Sequence, residues 1–150
     1  MAEMKAPYEY LVSACLAGIP CRYDGMAKTK KEVVKLVDNK RAFPVCPELL
    51  GKRKTPRQKA EIEKGEGLDV LLGKSKVLQE DGTDVAEQFI KGAKETLKLA
   101  QALGIKKALM KQKSPSCGCG LIYVKGKLVK GDGVTTALLR KEGIEILPSD

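Results

Sequence analysis

Histidine is absent from this chain, and that absence removes more chemistry than any other feature of its composition. Serine–histidine and cysteine–histidine catalysis are excluded, as are zinc sites of mixed cysteine and histidine. Any metal must be held by thiolates or carboxylates, and any proton must be moved by Glu, Asp, Lys, Tyr or a hydroxyl. Tryptophan is also missing, and aromatic residues make up only 4% of the chain. No apolar run approaches the roughly 20 residues a membrane helix requires, so no membrane contact is expected. The opening stretch carries Glu3 and Glu9 and lacks the basic-then-apolar order of a secretory signal, which makes the cytoplasm the expected location. No repeat, low-complexity tract or linker divides the 150 residues, so one domain over 1–150 is expected.

Cysteine is what the chain has instead. Five cysteines are an odd number, and in a reducing compartment they do not form a disulfide framework. Their settings are Ser13-Ala14-Cys15-Leu16, Cys21-Arg22-Tyr23-Asp24-Gly25, Pro44-Val45-Cys46-Pro47-Glu48 and Ser114-Pro115-Ser116-Cys117-Gly118-Cys119. None is a paired CxxC knuckle or the CxxCxxC run of a bacterial ferredoxin. Proline and glycine around Cys46 and Cys117 stiffen their loops, which suits ligands that must be held rigidly. Spacing leaves three readings open: a metal or cluster site, a nucleophilic cysteine, and structural thiols packed as small apolar residues. The net charge of +9 attracts anions, RNA included. The lysines are scattered, so a solvated lysine-rich surface and a functional basic face both stay open.

Residues 8–15 and 41–45 read as strands and 31–37 as a short helix, while 68–72 is a short apolar segment. Thr83 can cap a helix whose apolar stripe runs through Val85, Phe89, Ile90, Ala93, Leu97, Ala100 and Leu103, with Gly104 at its stop. Residues 105–110 resume as a strand, 122–124 and 127–129 suit a hairpin around Gly126, 133–141 reads as a helix, and 144–147 as a last strand. Strands alternating with helices predict an α/β domain with a mainly parallel sheet flanked by helices in a Rossmann-like three-layer arrangement. Such sheets bind ligands beyond the carboxyl ends of their strands. Cys15 ends the first predicted strand, Cys46 the second, and Cys117 follows the strand ending near Met110, so the three are expected to converge on one edge.

The segments SACLAGIPCRYDG (13–25), FPVCPELLG (43–51), TPR followed by AEI (55–62), DGTDV (81–85), SPSCG (114–118) and GDGVTTALL (131–139) resemble the signatures of the thiouracil desulfidase family, in order, over about residues 10–145. That resemblance implies an α/β fold, a 4Fe–4S cluster held by three cysteines with its fourth iron open, and non-redox removal of sulfur from a thiolated uracil. The implied substrate is 4-thiouracil, 2-thiouracil or 4-thiouridine in RNA, which makes tRNA a candidate partner. Carried over, the ligands are Cys15, Cys46 and Cys117, with Cys21 the second choice. Cys119 lies outside the motif and reads as a local variation. The chain departs from the pattern in its basic residues at 52–54 and in a shorter loop between Tyr123 and Gly131, and both bear on which substrate fits.

With no histidine, Glu48 is the leading candidate for the base that activates water, and Ser114 or Ser116 for a donor to the pyrimidine. A surface glutamate at a helix start and ordinary turn serines are the plain alternatives. Arg22, Tyr23 and Asp24 are candidate substrate contacts, with Tyr23 able to stack on a base. Gly131, Asp132 and Gly133 precede a helix whose free amides are candidates to face substrate, and a simple turn explains them as well. Two other functions stay open: an iron–sulfur electron-transfer or storage protein, if Cys21 closes the cluster, and a cysteine-only zinc module that binds RNA.

Overall fold

The computed structural model describes residues 8–149, so most of the opening stretch at residues 1–10, which bears on the absence of a secretory signal, lies outside the described residues. Strand β1 (Tyr10–Ser13) buries Leu11, Val12 and Ser13, which suits a central strand of a parallel sheet. It pairs with β2 (Ala42–Val45) on one side and β5 (Lys107–Lys111) on the other, and β5 pairs with β8 (Glu145–Ser149). All of these pairings are parallel, in the order β2-β1-β5-β8. The alternation of a strand divides their side chains between two faces. Leu11, Ala108 and Met110 pack with residues of α4 (Ala86–Ala102) and α5 (Val134–Lys141), while Val12 and Leu109 pack with Val33 and Leu36 of α1 (Lys31–Asp38). The expected parallel α/β layering is therefore present.

A second sheet stands beside the first. It joins β3 (Ala60–Ile62), β4 (Val77–Gln79), β6 (Cys119–Val124) and β7 (Lys127–Asp132) in the order β4-β3-β6-β7, with β3 and β6 parallel and the outer pairs antiparallel. Only the β6–β7 hairpin was expected. Its turn sets φ +51 at Lys125 and +78 at Gly126, the left-handed pair a two-residue hairpin turn needs. Strands β3 and β4 have three residues each, too few for their alternation to register. The apolar segment at 68–72 is helix α3 (Gly67–Leu71).

Helix α4 serves both sheets. Phe89 and Ala93 in its first half join the core beneath the second sheet, and Ala100 joins the core of the first. Its start differs from the expected Thr83 cap. The N-cap is Val85, and the carboxylate of Asp84 accepts the Ala86 amide at 2.9 Å. Thr83 is held instead by its carbonyl, which accepts the Gln79 amide, so its hydroxyl stands too early to cap. Cys15 also lies beyond its strand, in the 3-10 turn Ala14–Ala17 that follows β1. Among the described residues no helix is long and apolar enough to cross a membrane.

Helix α4 also fixes α2 (Pro47–Leu50), the short helix that opens with proline at its first position directly after Cys46. The contact is backbone on backbone: a Cβ on Gly92 would lie 2.0 Å from the Pro47 carbonyl oxygen, and one on Gly51 2.0 Å from that of Gln88. Gly92→Ala is therefore expected to force the two helices apart and destabilise the fold by about 1–3 kcal/mol. The check is a lower urea midpoint at unchanged slope. Lys94→Ala, on the exposed face of the same helix, should change it by no more than about 0.5 kcal/mol.

Candidate active site

The carboxyl ends of β2, β1 and β5 lie side by side, with Ser13 level with Val45 and Val12 level with Leu109. Cys46 follows β2, Cys15 follows β1, and Cys117 lies in the loop after β5. A cavity of about 350 Å³ opens there, and Cys15, Cys21, Cys46 and Cys117 all line it. Each thiol lies within electrostatic reach of others: Cys15 of Cys46, Cys117 of both, and Cys21 of all three. Cys119 is buried elsewhere, its thiol aimed at the Met110 carbonyl.

Burial pushes the Cys15 and Cys117 thiols up from their ordinary range, with Lys111 opposing the shift at Cys15 and the Ser13 hydroxyl opposing it at Cys117. The Cys46 thiol donates to the Cys21 carbonyl at 3.8 Å. The closeness of Cys21 lowers Cys46, to about 7, with help from the Leu49 amide, and raises Cys21. The same loops are tied to the sheet, since Ser13 accepts the Lys111 amide at 2.9 Å, one step beyond the last β1–β5 ladder position.

Glu48 lines the same cavity. Its Oε1 accepts from Arg53 at 2.6 Å and from Arg57 at 3.1 Å, while its Oε2 takes no hydrogen bond from the described residues. Both arginine side chains are nearly sealed, at 3% and 6% exposed, against 14% for Glu48. Arg57 also donates to the Cys21 carbonyl at 3.0 Å, so one guanidinium joins the carboxylate to the Cys21 loop. Burial works to lower Arg57, but Glu48 and the neighbouring thiols outweigh it and hold the guanidinium above its usual value. Arg53 lies over the Phe89 ring and donates to Gln58 and Gln79, tying Glu48 to the second sheet.

The loop that bears Cys117 is fastened to α5. Ser114 Oγ accepts the amides of Ser116 and Cys117, each at 3.0 Å. The amides of Val134 and Thr135 donate to the carbonyls of Pro115 and Ser116, and the Gly133 amide to that of Gly118. Ser116 and Thr135 share a hydroxyl hydrogen bond at 2.7 Å, and Thr136 donates to the Cys117 carbonyl. The expectation that the α5 amides face substrate is thus corrected: they are spent on this loop. Gly131, Asp132 and Gly133 do not line the cavity. Asp132 instead accepts the Gly120 amide and pairs with Arg140.

Arg22 and Tyr23 do line the cavity, with the guanidinium 5.8 Å from the ring centre. Asp24 does not; it accepts the Met26 amide and stands 3.9 Å from Arg22, shaping the turn. Ser114 and Ser116 both reach the lining, but the Ser116 hydroxyl is engaged with Thr135.

The donor set fits an iron–sulfur cluster. Thiolates are the ligands such clusters take. The cations Arg22, Lys28, Arg57, Lys59, Lys111 and Lys113 outnumber the carboxylates Glu48 and Glu61 around the cavity, which offsets the charge that gathered thiolates bring. Among the described residues no three Cys, Asp or Glu side chains are drawn together tightly enough to hold a single metal ion.

A family model described as 2-thiouracil desulfurase matches residues 10–150. The chain belongs to the 2-thiouracil desulfurase family. The uncharacterized protein YbbK of Bacillus subtilis (strain 168) is 46% identical over 140 residues, covering 91% of this chain and 93% of its own. A solved structure described as the [4Fe-4S]-dependent thiouracil desulfidase TudS superposes with a TM-score of 0.83 at 42% identity, covering 95% of this chain and 91% of that one. This desulfurase-family chain shares that protein's α/β fold.

Several lining residues were not singled out from the desulfurase sequence. Arg57 stands inside a quoted motif, yet only the fold shows that it meets Glu48; a glutamate followed within ten residues by Lys52, Arg53, Lys54 and Arg57 is the one available signal. Lys59, Glu61 and Tyr123 reach the cavity from the second sheet, with the Lys59 ammonium 5.4 Å from the Tyr123 ring centre. In the Cys117 loop, a Cβ on Gly133 would lie 2.5 Å from the Ser116 carbonyl oxygen. Gly133→Ala should therefore lift the loop from α5 and cost about 1–3 kcal/mol. In metal-free protein Cys117 should then alkylate faster than in the parent, as peptide mapping would show.

Proposed function

We propose that the protein removes sulfur from a thiolated uracil by hydrolysis, exchanging the C=S sulfur for water oxygen and releasing hydrogen sulfide without net electron transfer. The observation that carries this reading is the meeting of Cys15, Cys46 and Cys117 with Glu48 and Ser114 on one cavity. In this reading those three cysteines hold a 4Fe–4S cluster. When bound, a cluster with one iron free of protein thiolate supplies a soft Lewis acid for the thione sulfur.

The remaining steps belong to the chain's own groups. Glu48 takes a proton from the attacking water at Oε2, because Oε1 already accepts from both guanidiniums. Arg53 and Arg57 hold that carboxylate in one orientation, which keeps the accepting oxygen in place without repeated solvent rearrangement. Ser114 accepts two amides at its oxygen and so keeps its own hydrogen to donate to the pyrimidine. Arg22 and Tyr23 contact the base edge and face. The surplus of cations favours the leaving hydrosulfide.

The substrates in scope are 4-thiouracil, 2-thiouracil and 4-thiouridine in RNA, with tRNA as the macromolecular partner in the last case. The reading also places the protein in the cytoplasm, where its thiols stay reduced. An electron-transfer or storage role has one observation in its favour, since Cys21 lines the cavity too.

Anaerobic incubation of the iron-loaded protein with each substrate tests the activity: sulfide should appear with at least one, and none from any thiolated pyrimidine, free or in RNA, would refute it. Glu48→Gln should keep its iron and lose about 10²–10⁴-fold in turnover. Full activity in that variant would clear Glu48 of the role. If RNA is the substrate, turnover should fall steeply with added salt, whereas salt-insensitive turnover assigns the free base or nucleoside.

A further inference from the structure

We infer that Gln79 is a positioning residue for Glu48, acting through Arg53 and itself oriented by Asp81. This role rests on the reading of Glu48 as the base that activates water. Arg53 donates through Nη1 to Glu48 Oε1 at 2.6 Å, and through Nη2 to the Gln58 carbonyl at 3.0 Å and to Gln79 Oε1 at 2.9 Å. A guanidinium is planar and rigid, so acceptors on both Nη2 hydrogens fix its plane. That plane sets the direction in which Nη1 presents its hydrogen to Glu48. The Gln58 acceptor is backbone, whereas the Gln79 acceptor is a side chain.

The second sheet brings Gln79 to Arg53. Gln79 is the last residue of β4, two positions after Val77, so both side chains leave the same face of the strand. Val77 joins the same core as Phe89, and the Arg53 guanidinium lies 5.3 Å from the centre of that ring. An amide side chain can present either its oxygen or its nitrogen. Here Gln79 Nε2 donates to Asp81 Oδ1 at 3.2 Å, which turns Oε1 toward Arg53.

Asp81 is itself held. The amide and hydroxyl of Thr83, with Gln58 and Gln79, keep its carboxyl down, to about 2, so at neutral pH it only accepts. Its turn is closed by the Gln79 carbonyl, which accepts the Gly82 amide at 2.8 Å, and by the Gln79 amide, which donates to the Thr83 carbonyl at 3.0 Å. Gln58 accepts the Asp81 amide at 2.9 Å and donates to Asp81 Oδ2 at 3.1 Å. The DGTDV segment (81–85) lines no part of the cavity, yet both its carboxylates are employed. Asp84 accepts the first amide of α4, and Asp81 orients the amide that orients Arg53.

Without the Gln79 oxygen, one Nη2 hydrogen of a buried cation lacks an acceptor, and the guanidinium turns to recover one. Glu48 then keeps only Arg57 in fixed alignment. A base held off its line loses rate at the proton-transfer step. Substrate affinity is spared, since neither Gln79 nor Asp81 lines the cavity.

The test compares iron-loaded native protein with Gln79→Met, Asp81→Ala, Glu48→Gln and the double variant of Glu48→Gln with Gln79→Met. Sulfide release from 4-thiouracil, 2-thiouracil and 4-thiouridine is measured alongside iron content. Gln79→Met should keep its iron, hold KM within about twofold and lose at least about tenfold in kcat. Asp81→Ala should lower kcat in the same way, by about threefold or more. Because Gln79 acts through Glu48, adding Gln79→Met to Glu48→Gln should change turnover by less than about twofold. An equal loss in both backgrounds, native turnover in Gln79→Met, or iron lost together with kcat overturns this inference and leaves the desulfidase reading intact. If Gln79→Met does not fold, Asp81→Ala, alone and combined with Glu48→Gln, decides by the same criteria. Full activity in Glu48→Gln overturns the role of Glu48 and this inference with it. Native protein that releases no sulfide overturns the activity as a whole.

Discussion

Parallel pairing of β2, β1 and β5 puts three chain segments in step, with their carboxyl ends level, and everything reactive in the molecule hangs from that edge. Ser13 stands level with Val45, so the residues that follow, on the turn bearing Cys15 and at Cys46, enter the same space. The Ser13 hydroxyl carries the alignment one step past the β5 ladder by accepting the Lys111 amide. A slip of one residue would reverse the faces of a strand, sending Leu11 and Val12 to each other's cores. The misfit of Leu11 and Val12 in each other's close-packed surroundings is what opposes such a slip and keeps the thiol loops in step.

Beyond the edge, the loops are placed by close backbone approach more than by side-chain packing. Gly92 lets α2 lie on α4 and so sets the direction in which Cys46 and Glu48 leave β2. Gly133 lets the Cys117 loop lie on α5, whose first amides would otherwise lack partners. Arg57 then links Glu48 to the Cys21 carbonyl, so the carboxylate and the Cys21 loop share one buried cation. The second sheet supplies the remaining wall through Lys59, Glu61 and Tyr123. Because α4 packs under both sheets, the two walls of the cavity are braced by a single helix.

What could be read in advance follows from this division of labour. Strand ends announced by apolar runs and halted by proline or a polar turn located Cys15, Cys46 and Cys117, because a parallel sheet converts strand order into a common edge. The long stripe of α4 was legible for the same reason: many residues at one period. Three-residue strands carry no such period, so β3 and β4, and with them the second wall, were invisible. The Gly131-Asp132-Gly133 segment shows a different limit. A helix N-terminus is a general anion site only where its amides are free, and here the Cys117 loop had taken them. Arg57 and Glu48 lie close in sequence, but Arg57 stands in the loop after the helix that bears Glu48, and only their burial together reveals the pair.

Gathering soft donors in a half-buried, net-positive cavity, beside a Glu48 oxygen that takes no hydrogen bond from the described residues, gives this desulfurase-family chain its chemical character. The central claim is that Cys15, Cys46 and Cys117 jointly hold iron. Iron and acid-labile sulfide per chain, counted after anaerobic reconstitution of native protein and of Cys15→Ser, Cys46→Ser and Cys117→Ser, test it most directly. The account predicts about four of each in the native chain, with visible colour, and loss of most of both in every one of the three variants. A colourless native chain holding stoichiometric zinc, or full iron retained by any of those variants, would contradict it.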